Sequence, residues 1–128
     1  MTYHFSKTLK MPFDAAVDHV TDALAKKGFG VLTTIDVRAT MRKKLDEEFR
    51  PYTILGACNP GFALKALQAE DKIGLMLPCN VVVQDIGSGQ VEVSAVDPAA
   101  SMAGVANPNL TAIAGDVRDL LETMVREL

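Results

Sequence analysis

The segment Tyr52-Thr53-Ile54-Leu55-Gly56-Ala57-Cys58-Asn59-Pro60-Gly61 contains the end of one element and the start of the next. Its β-branched and aromatic residues up to Ala57 favour a strand. Asn59 is a preferred N-cap residue and Pro60 suits the first helical position, so the pattern predicts a helix that begins at Pro60. Cys58 is therefore predicted to lie at the entrance of this helix.

The residues before this segment predict two strands and two helices. Alternating apolar residues predict a strand over residues 3–9, and an apolar stripe spaced three and four apart predicts a helix from Pro12 that Gly28 ends. A second period-two pattern predicts a strand over residues 30–38. We expect Thr40 to cap a short charged helix that stops before Pro51.

The residues after this segment predict a bent strand, a hairpin and a long helix. The apolar pattern predicts a strand over residues 73–77, an interruption at Pro78, and a continuation over residues 81–83. A Gly-Ser-Gly turn joins it to a strand over residues 91–95. Residues 97–107 lack strong periodicity and predict a loop with at most a helical turn. Asn107 and Pro108 then open the clearest helix, which continues to the end of the chain.

The predicted order is strand, helix, strand, short helix, strand, short helix, two hairpin strands and a long helix. A chain of 128 residues with 48% hydrophobic and 23% charged residues has the composition of a folded globular domain. The connections between elements are short. We therefore expect one α+β domain over residues 1–128, with an antiparallel sheet packed by helices.

The charge and hydropathy exclude several classes of partner. A net charge of −3 provides no basic field for nucleic acid. No stretch approaches the ~20 apolar residues of a membrane span, and the N-terminus lacks the pattern of a signal peptide. The sequence therefore predicts a cytoplasmic protein that binds neither nucleic acid nor membrane.

Cys58 and Cys79 are the only cysteines and the strongest chemical features of the sequence. A thiol at a helix entrance lies near unpaired backbone N–H groups that stabilise a thiolate, and the same loop with Gly61 can accommodate an anion. The alternative is that Cys58 is a small apolar residue at a strand end. Cys79 is in phase with the core positions of its strand, unless Pro78 shifts the phase. Sequence leaves open whether their Cα atoms lie within the ~7 Å that a disulfide requires.

Familiar catalytic and cofactor motifs are absent from the sequence. It has no Ser-His-Asp order, no H-E-x-x-H, no phosphate-binding loop and no G-x-G-x-x-G. Two cysteines with only His4 and His19 elsewhere make a sparse set of metal ligands. We therefore expect no metal and no cofactor.

Two similar motifs carry a resemblance to a known family. The segment Tyr52–Pro60, followed by Ile73-Gly74-Leu75-Met76-Leu77-Pro78-Cys79-Asn80-Val81, resembles the family called domain of unknown function 302. Gly28-Phe29-Gly30-Val31 and Asp97-Pro98 support the resemblance, which spans nearly the whole chain. The resemblance implies an α+β fold similar to that of the TATA-binding protein, and dimers, but no activity. Many members carry Gly where this chain has Cys58 and lack Cys79, so the resemblance implies that the two cysteines are a subgroup feature.

The leading functional prediction is a small-ligand binding or sensing module. Its site is expected where the Cys58 helix entrance meets the bend at Pro78. The predicted binding residues are Gly56, Cys58, Asn59, Pro60, Gly61, Pro78, Cys79 and Asn80. One alternative is a thiol redox or persulfide-handling enzyme with Cys58 as nucleophile and Cys79 as resolving thiol. A second alternative is a structural homodimer that pairs through an exposed strand edge.

Overall fold

A computed structural model describes residues 2–128 as a five-stranded antiparallel sheet packed by helices. The strand order across the sheet is β1-β5-β4-β3-β2. The strands are β1 (His4–Lys10), β2 (Gly30–Asp36), β3 (Tyr52–Cys58), β4 (Cys79–Gly87) and β5 (Gln90–Val96). The helices are α1 (Phe13–Lys26), α2 (Val37–Leu45), α3 (Pro60–Ala69), α4 (Pro98–Ser101) and α5 (Pro108–Arg126), with a 3₁₀ helix at Ile73–Met76. The predicted α+β class and antiparallel sheet are confirmed.

The centre of the sheet is the hairpin β4–β5, whose alternating valines form the core face. Val81 pairs with Ala95 and Val83 pairs with Val93, and all four side chains are buried. The period-two pattern directs these residues to one side of the sheet, so that side becomes the wall of the core. We call this side the core face.

Helices α1 and α5 cover the core face and form the main core cluster with it. Ala16, Val20 and Leu24 of α1 are fully buried, and α5 contributes buried residues spaced three and four apart. The helical members of the cluster are Ala16, Val20, Leu24, Val117, Leu121, Met124 and Val125.

A second core cluster lies to one side, where α3, the 3₁₀ helix and the start of α5 meet. Its buried members are Ala66, Ile73, Met102, Leu110 and Ala114. Ile113 packs against both clusters. The two clusters are therefore adjacent but separately packed, and the seam between them positions the candidate site.

The prediction of a strand over residues 73–77 is wrong. Ile73–Met76 is a 3₁₀ helix, and the Leu77–Pro78 peptide bond after it is cis. Ile73 is buried in the second core cluster, whereas Leu75 is 84% exposed. Alternating apolar residues in this segment therefore do not mark one buried face. The pairing of β4 with β3 starts only at Cys79, after the proline that lacks an N–H group.

The short helix α2 begins earlier than predicted and has a different cap. Strand β2 ends at Asp36, and the Asp36 carboxylate accepts a hydrogen bond of 2.9 Å from the backbone N–H of Ala39. Thr40 lies inside the helix, where its hydroxyl donates to the Asp36 carbonyl oxygen. The helix begins after Asp36 because the side chain of an aspartate at the N-cap position can accept hydrogen bonds from the free N–H groups of the first turn.

The segment over residues 97–107 contains a short helix, α4. Asp97 caps it by accepting hydrogen bonds from Ala99 and Ala100, and Pro98 occupies its first position. Across residues 2–128, no helix is long and apolar enough to cross a membrane.

Candidate functional site

A cavity of about 330 Å³ lies at the seam between the two core clusters. The end of β3 and the start of β4 form one side of the cavity. Helix α3 forms the second side, and α4 and α5 form the third. Its lining residues are Phe29, Leu32, Ala57, Cys58, Asn59, Phe62, Ala63, Ala66, Leu67, Gly74, Leu77, Pro78, Cys79, Pro98, Met102, Ile113, Ala114 and Val117.

Small side chains on the facing helices leave the space that forms the cavity. Ala63 and Ala66 on α3 lie three residues apart, so they occupy neighbouring positions on one helical face. Ala114 provides the corresponding small residue on α5. Leucine at any of these positions would extend into the volume, so the alanines determine its size.

The cavity carries no ionised side chain among its lining residues. The polar or weakly polar residues in its lining are Asn59, Cys58 and Cys79. At the solvent side, Leu32 is 67% exposed and Leu67 is 44% exposed, although both line the cavity. Leu32 lies where the β2–β3 register shifts between Val31 and Thr33. The site is therefore apolar both inside and at its entrance.

Asn59 occupies the predicted N-cap position of α3, but its side chain makes no capping hydrogen bond. The amide donates instead to the Lys27 carbonyl oxygen over 3.5 Å. It lies against Gly28, whose positive φ of 85° turns the chain out of α1. Asn59 thus links the start of α3 to the end of α1, a role that its position in the sequence does not reveal.

Gly56 allows two strands and a proline to approach closely. A Cβ atom at this position would lie 2.7 Å from Cγ of Pro78 and would overlap the Thr33 hydroxyl. A real Cβ atom does not tolerate such a distance to a rigid ring. Close packing against Thr33 and Pro78 therefore requires glycine at position 56. Gly56 lies beside the site but does not line the cavity.

Cys58 and Cys79 both line the cavity, but they differ in environment. Cys79 is only 7% exposed, whereas Cys58 is half-buried, and both are free thiols. Burial is the main cause, and charge interaction with Cys58 the smaller one, that together raise the pKa of the Cys79 thiol to about 11. Cys79 therefore stays protonated at neutral pH.

The strand register separates the directions of the two cysteine side chains. Cys79 pairs with Ala57, one residue before Cys58. Successive side chains on a strand point to opposite faces, so regular pleating directs Cys58 and Cys79 to opposite sides of the sheet. The register does not favour a disulfide, although the two residues lie on adjacent strands.

The structure brings four of the eight predicted binding residues to the cavity: Cys58, Asn59, Pro78 and Cys79. Pro60 and Gly61 lie on the exposed first turn of α3. Asn80 points away from the core face and lines a polar cleft of about 320 Å³ on the other side of the sheet. Gly56, Pro60, Gly61 and Asn80 therefore do not line the cavity.

The contribution of α4 and α5 to the cavity was not predicted from the sequence. Met102, Ile113, Ala114 and Val117 are far along the chain from Cys58, and their apolar periodicity indicated only a packed helix. A local signal was present in Ala114, because a small residue within an apolar stripe marks a position where the helix cannot fill space. Its position opposite Ala66 depends on the tertiary structure.

Metal ligands are not grouped within the described part of the chain. Residues 2–128 contain no cluster of three or more His, Cys, Asp and Glu side chains that could hold a metal ion.

Comparison with known proteins identifies a family but no activity. The family described as "Domain of unknown function DUF302" matches residues 5–128. A crystal structure of an uncharacterized conserved DUF302 protein from Bacillus stearothermophilus is similar, with a TM-score of 0.90 and 25% sequence identity over 98% of each chain. No curated protein matches the chain. The chain therefore belongs to the DUF302 family.

Proposed function

We propose that this protein binds a small, neutral, apolar molecule in the cavity beside Cys58 and Cys79. The observation that carries the proposal is the lining itself, which contains no ionised side chain. An ionised ligand would lose its hydration there without gaining a partner. A neutral apolar ligand would instead gain dispersion contacts with aliphatic and aromatic side chains.

The size of the cavity supports a ligand larger than a single benzene ring. An engineered apolar cavity of about 150 Å³ in another protein binds benzene or xenon. The cavity here measures about 330 Å³, which lies within the range of about 300–1,000 Å³ for ligand sites. Its exposed entrance at Leu32 and Leu67 provides a route from solvent.

Thermal unfolding in the presence of indole, 3-octanone and benzoate tests the proposal. Indole and 3-octanone should raise the melting temperature because they bind the folded state only, whereas the benzoate anion should have little effect. Ala66→Leu fills the cavity and should abolish the rise. Ala25→Leu is the matched control, since Ala25 is exposed on α1.

The proposal fails if neither neutral probe changes the melting temperature of the natural chain. It also fails if Ala66→Leu and Ala25→Leu respond alike to the probes. Ala63→Leu, at a half-buried lining position, provides a second filled variant if Ala66→Leu does not fold.

A thiol redox function for Cys58 and Cys79 is the second candidate. It is favoured by the presence of two free cysteines among the residues that line one cavity. The raised pKa of Cys79 and the register of β3 with β4 count against it. Mild oxidation followed by intact mass measurement distinguishes the two functions, because an intramolecular disulfide removes two hydrogens and a bound ligand removes none.

We also propose that the protein is a cytoplasmic homodimer. Strand β2 is an edge of the sheet, and six of its seven residues are exposed. An exposed edge presents N–H and C=O groups to which a second copy can add a strand. Two free cysteines are typical of a reducing compartment. Light scattering at working concentration tests the dimer, and a monomer contradicts it.

A further inference from the structure

We infer that the polar cleft on the side of the sheet opposite the core face binds a small neutral polyol of the sugar class. The cleft measures about 320 Å³, at the lower end of the range of about 300–1,000 Å³ for small-molecule sites. It shares no lining residue with the apolar cavity beside Cys58 and Cys79. The polar cleft is therefore a second site, independent of the proposed function.

The strand register places polar side chains from three strands beside one another in this cleft. Tyr52 of β3 pairs with Gln84 of β4, and Gln84 pairs with Glu92 of β5. Ser94 lies two residues after Glu92, and Asn80 lies four residues before Gln84, so each shares the phase of its strand neighbour. The alternate positions of β4 and β5 include the buried valines of the core face. All five side chains therefore point to the cleft, which they line.

Hydrogen bonds hold the Gln84 amide in one orientation. Its Oε1 atom accepts a hydrogen bond of 2.9 Å from Nε of Arg50, and its Nε2 atom donates to the Glu92 carboxylate over 3.4 Å. The Glu92 carboxylate has two oxygens and can accept further hydrogen bonds. Gln84 therefore positions an acceptor with spare capacity at the cleft, where the hydroxyl groups of a ligand can donate to it.

A second hydrogen-bonded row crosses from β1 to β5. Nδ1 of His4 lies 2.8 Å from the Ser6 hydroxyl oxygen, which lies 2.7 Å from the Ser94 hydroxyl oxygen. A hydroxyl group has one donor and two acceptor sites, so Ser94 retains capacity for a ligand. The exposed amide of Asn80 adds two donors and an acceptor. The cleft therefore combines donors and acceptors, which a polyol requires because each of its hydroxyl groups both donates and accepts.

The charge of the cleft favours a neutral ligand. Among the described residues that line it, Glu92 is the only carboxylate, and no lysine or arginine occurs. Glu92 also takes no part in the ion pairs formed within residues 2–128. A sugar phosphate would be repelled by this carboxylate, and an apolar molecule would cover the polar groups without satisfying them. A simple ammonium ion would satisfy Glu92 alone, whereas a polyol can bond to the amides and the Ser94 hydroxyl as well.

Titration of the amide NMR signals with glucose, galactose and mannose tests the inference. At least one of the three sugars should shift the signals of β4 and β5 around the cleft and reach saturation, whereas its 6-phosphate and ethylamine should not. Glu92→Gln should weaken binding about fivefold, because a hydrogen bond to a charged acceptor is replaced by one to a neutral acceptor. Asn80→Ala should also weaken it, and Gln90→Ala, on β5 outside the cleft, should retain it.

Three results would overturn the assignment of the cleft to a polyol. The first is that none of the three sugars gives a saturable shift, and the second is that ethylamine or a sugar phosphate binds there at least as tightly. The third is that Asn80→Ala and Gln90→Ala bind the sugar alike. Asn80 is exposed, so this comparison holds even if Glu92→Gln does not fold. Because 3-octanone is directed to the other cavity, its result leaves this assignment unchanged.

Discussion

Burial of the Cys79 side chain ties the stability of the protein to pH. Its pKa of about 11 in the folded state lies above the value of about 8.5–9 for an exposed thiol. Below pH 8 both states hold the proton. Between about pH 9 and pH 11 only the unfolded state releases it, so stability falls as pH rises by about 1.4 kcal/mol per unit at most.

Urea unfolding of the natural chain and of Cys79→Ala at pH 7, 9 and 10.5 measures this effect. We expect the natural chain to lose more stability than Cys79→Ala between pH 9 and pH 10.5. The difference between the two proteins cancels the other groups that titrate in this range, including the tyrosines and lysines. If the free energies of unfolding of the two proteins change in parallel with pH, the pKa of Cys79 is not raised in the folded state.

Asn107 connects helix α5 to helix α3 through hydrogen bonds of its side chain. Its side-chain oxygen accepts hydrogen bonds from Asn109 and Leu110 at the start of α5. Its amide donates to the Ala69 carbonyl oxygen over 2.8 Å and to the Glu70 carboxylate over 3.4 Å at the end of α3. Asn107 therefore caps α5 and also links it by hydrogen bonds to the end of α3, beside the cavity.

Asn107→Ala should lower the free energy of unfolding by about 1–2 kcal/mol, because a helix cap and a second hydrogen bond are lost. Asn107→Asp keeps the cap but cannot donate to Ala69, so its loss should be intermediate. Asn109→Ala, at an exposed position of the same helix, is the control. The assignment is contradicted if all three variants unfold at the same urea concentration.

The whole molecule consists of a large core cluster and a small one with a cavity between them. The main core cluster includes most of the sheet and the buried faces of α1 and α5, whereas the second core cluster has five buried residues. The free energy of opening a region locally increases with the number of buried contacts that must separate. The second core cluster should therefore open without unfolding the sheet.

Hydrogen exchange measured by mass spectrometry tests this division. Amides of α3 and the 3₁₀ helix should exchange faster than those of β4 and β5, and indole or 3-octanone should slow exchange in α3 more than in β5. Ala66→Leu should give slower exchange in α3 without ligand, because it fills the seam. Uniform exchange over α3 and β4 would show that the two clusters unfold as one.

The order of the elements and the antiparallel sheet could be predicted because they depend on local patterns. The valines of β4 and β5 alternate, and the stripe of α5 repeats at three and four after Asn107 and Pro108. Such patterns concern residues that are neighbours along the chain. They failed at Ile73–Met76, where Leu75 mimics a strand position but is exposed in a 3₁₀ helix.

Only the tertiary structure decided the site. The sequence by itself determined that Cys58 stands at a helix entrance and that Pro78 interrupts the chain before Cys79. The strand register decided that Cys58 and Cys79 point to opposite faces, and the packing of α5 decided that Ala114 lies opposite Ala66. The physical reason is that a cavity is the space left between elements distant in sequence, which no local pattern records.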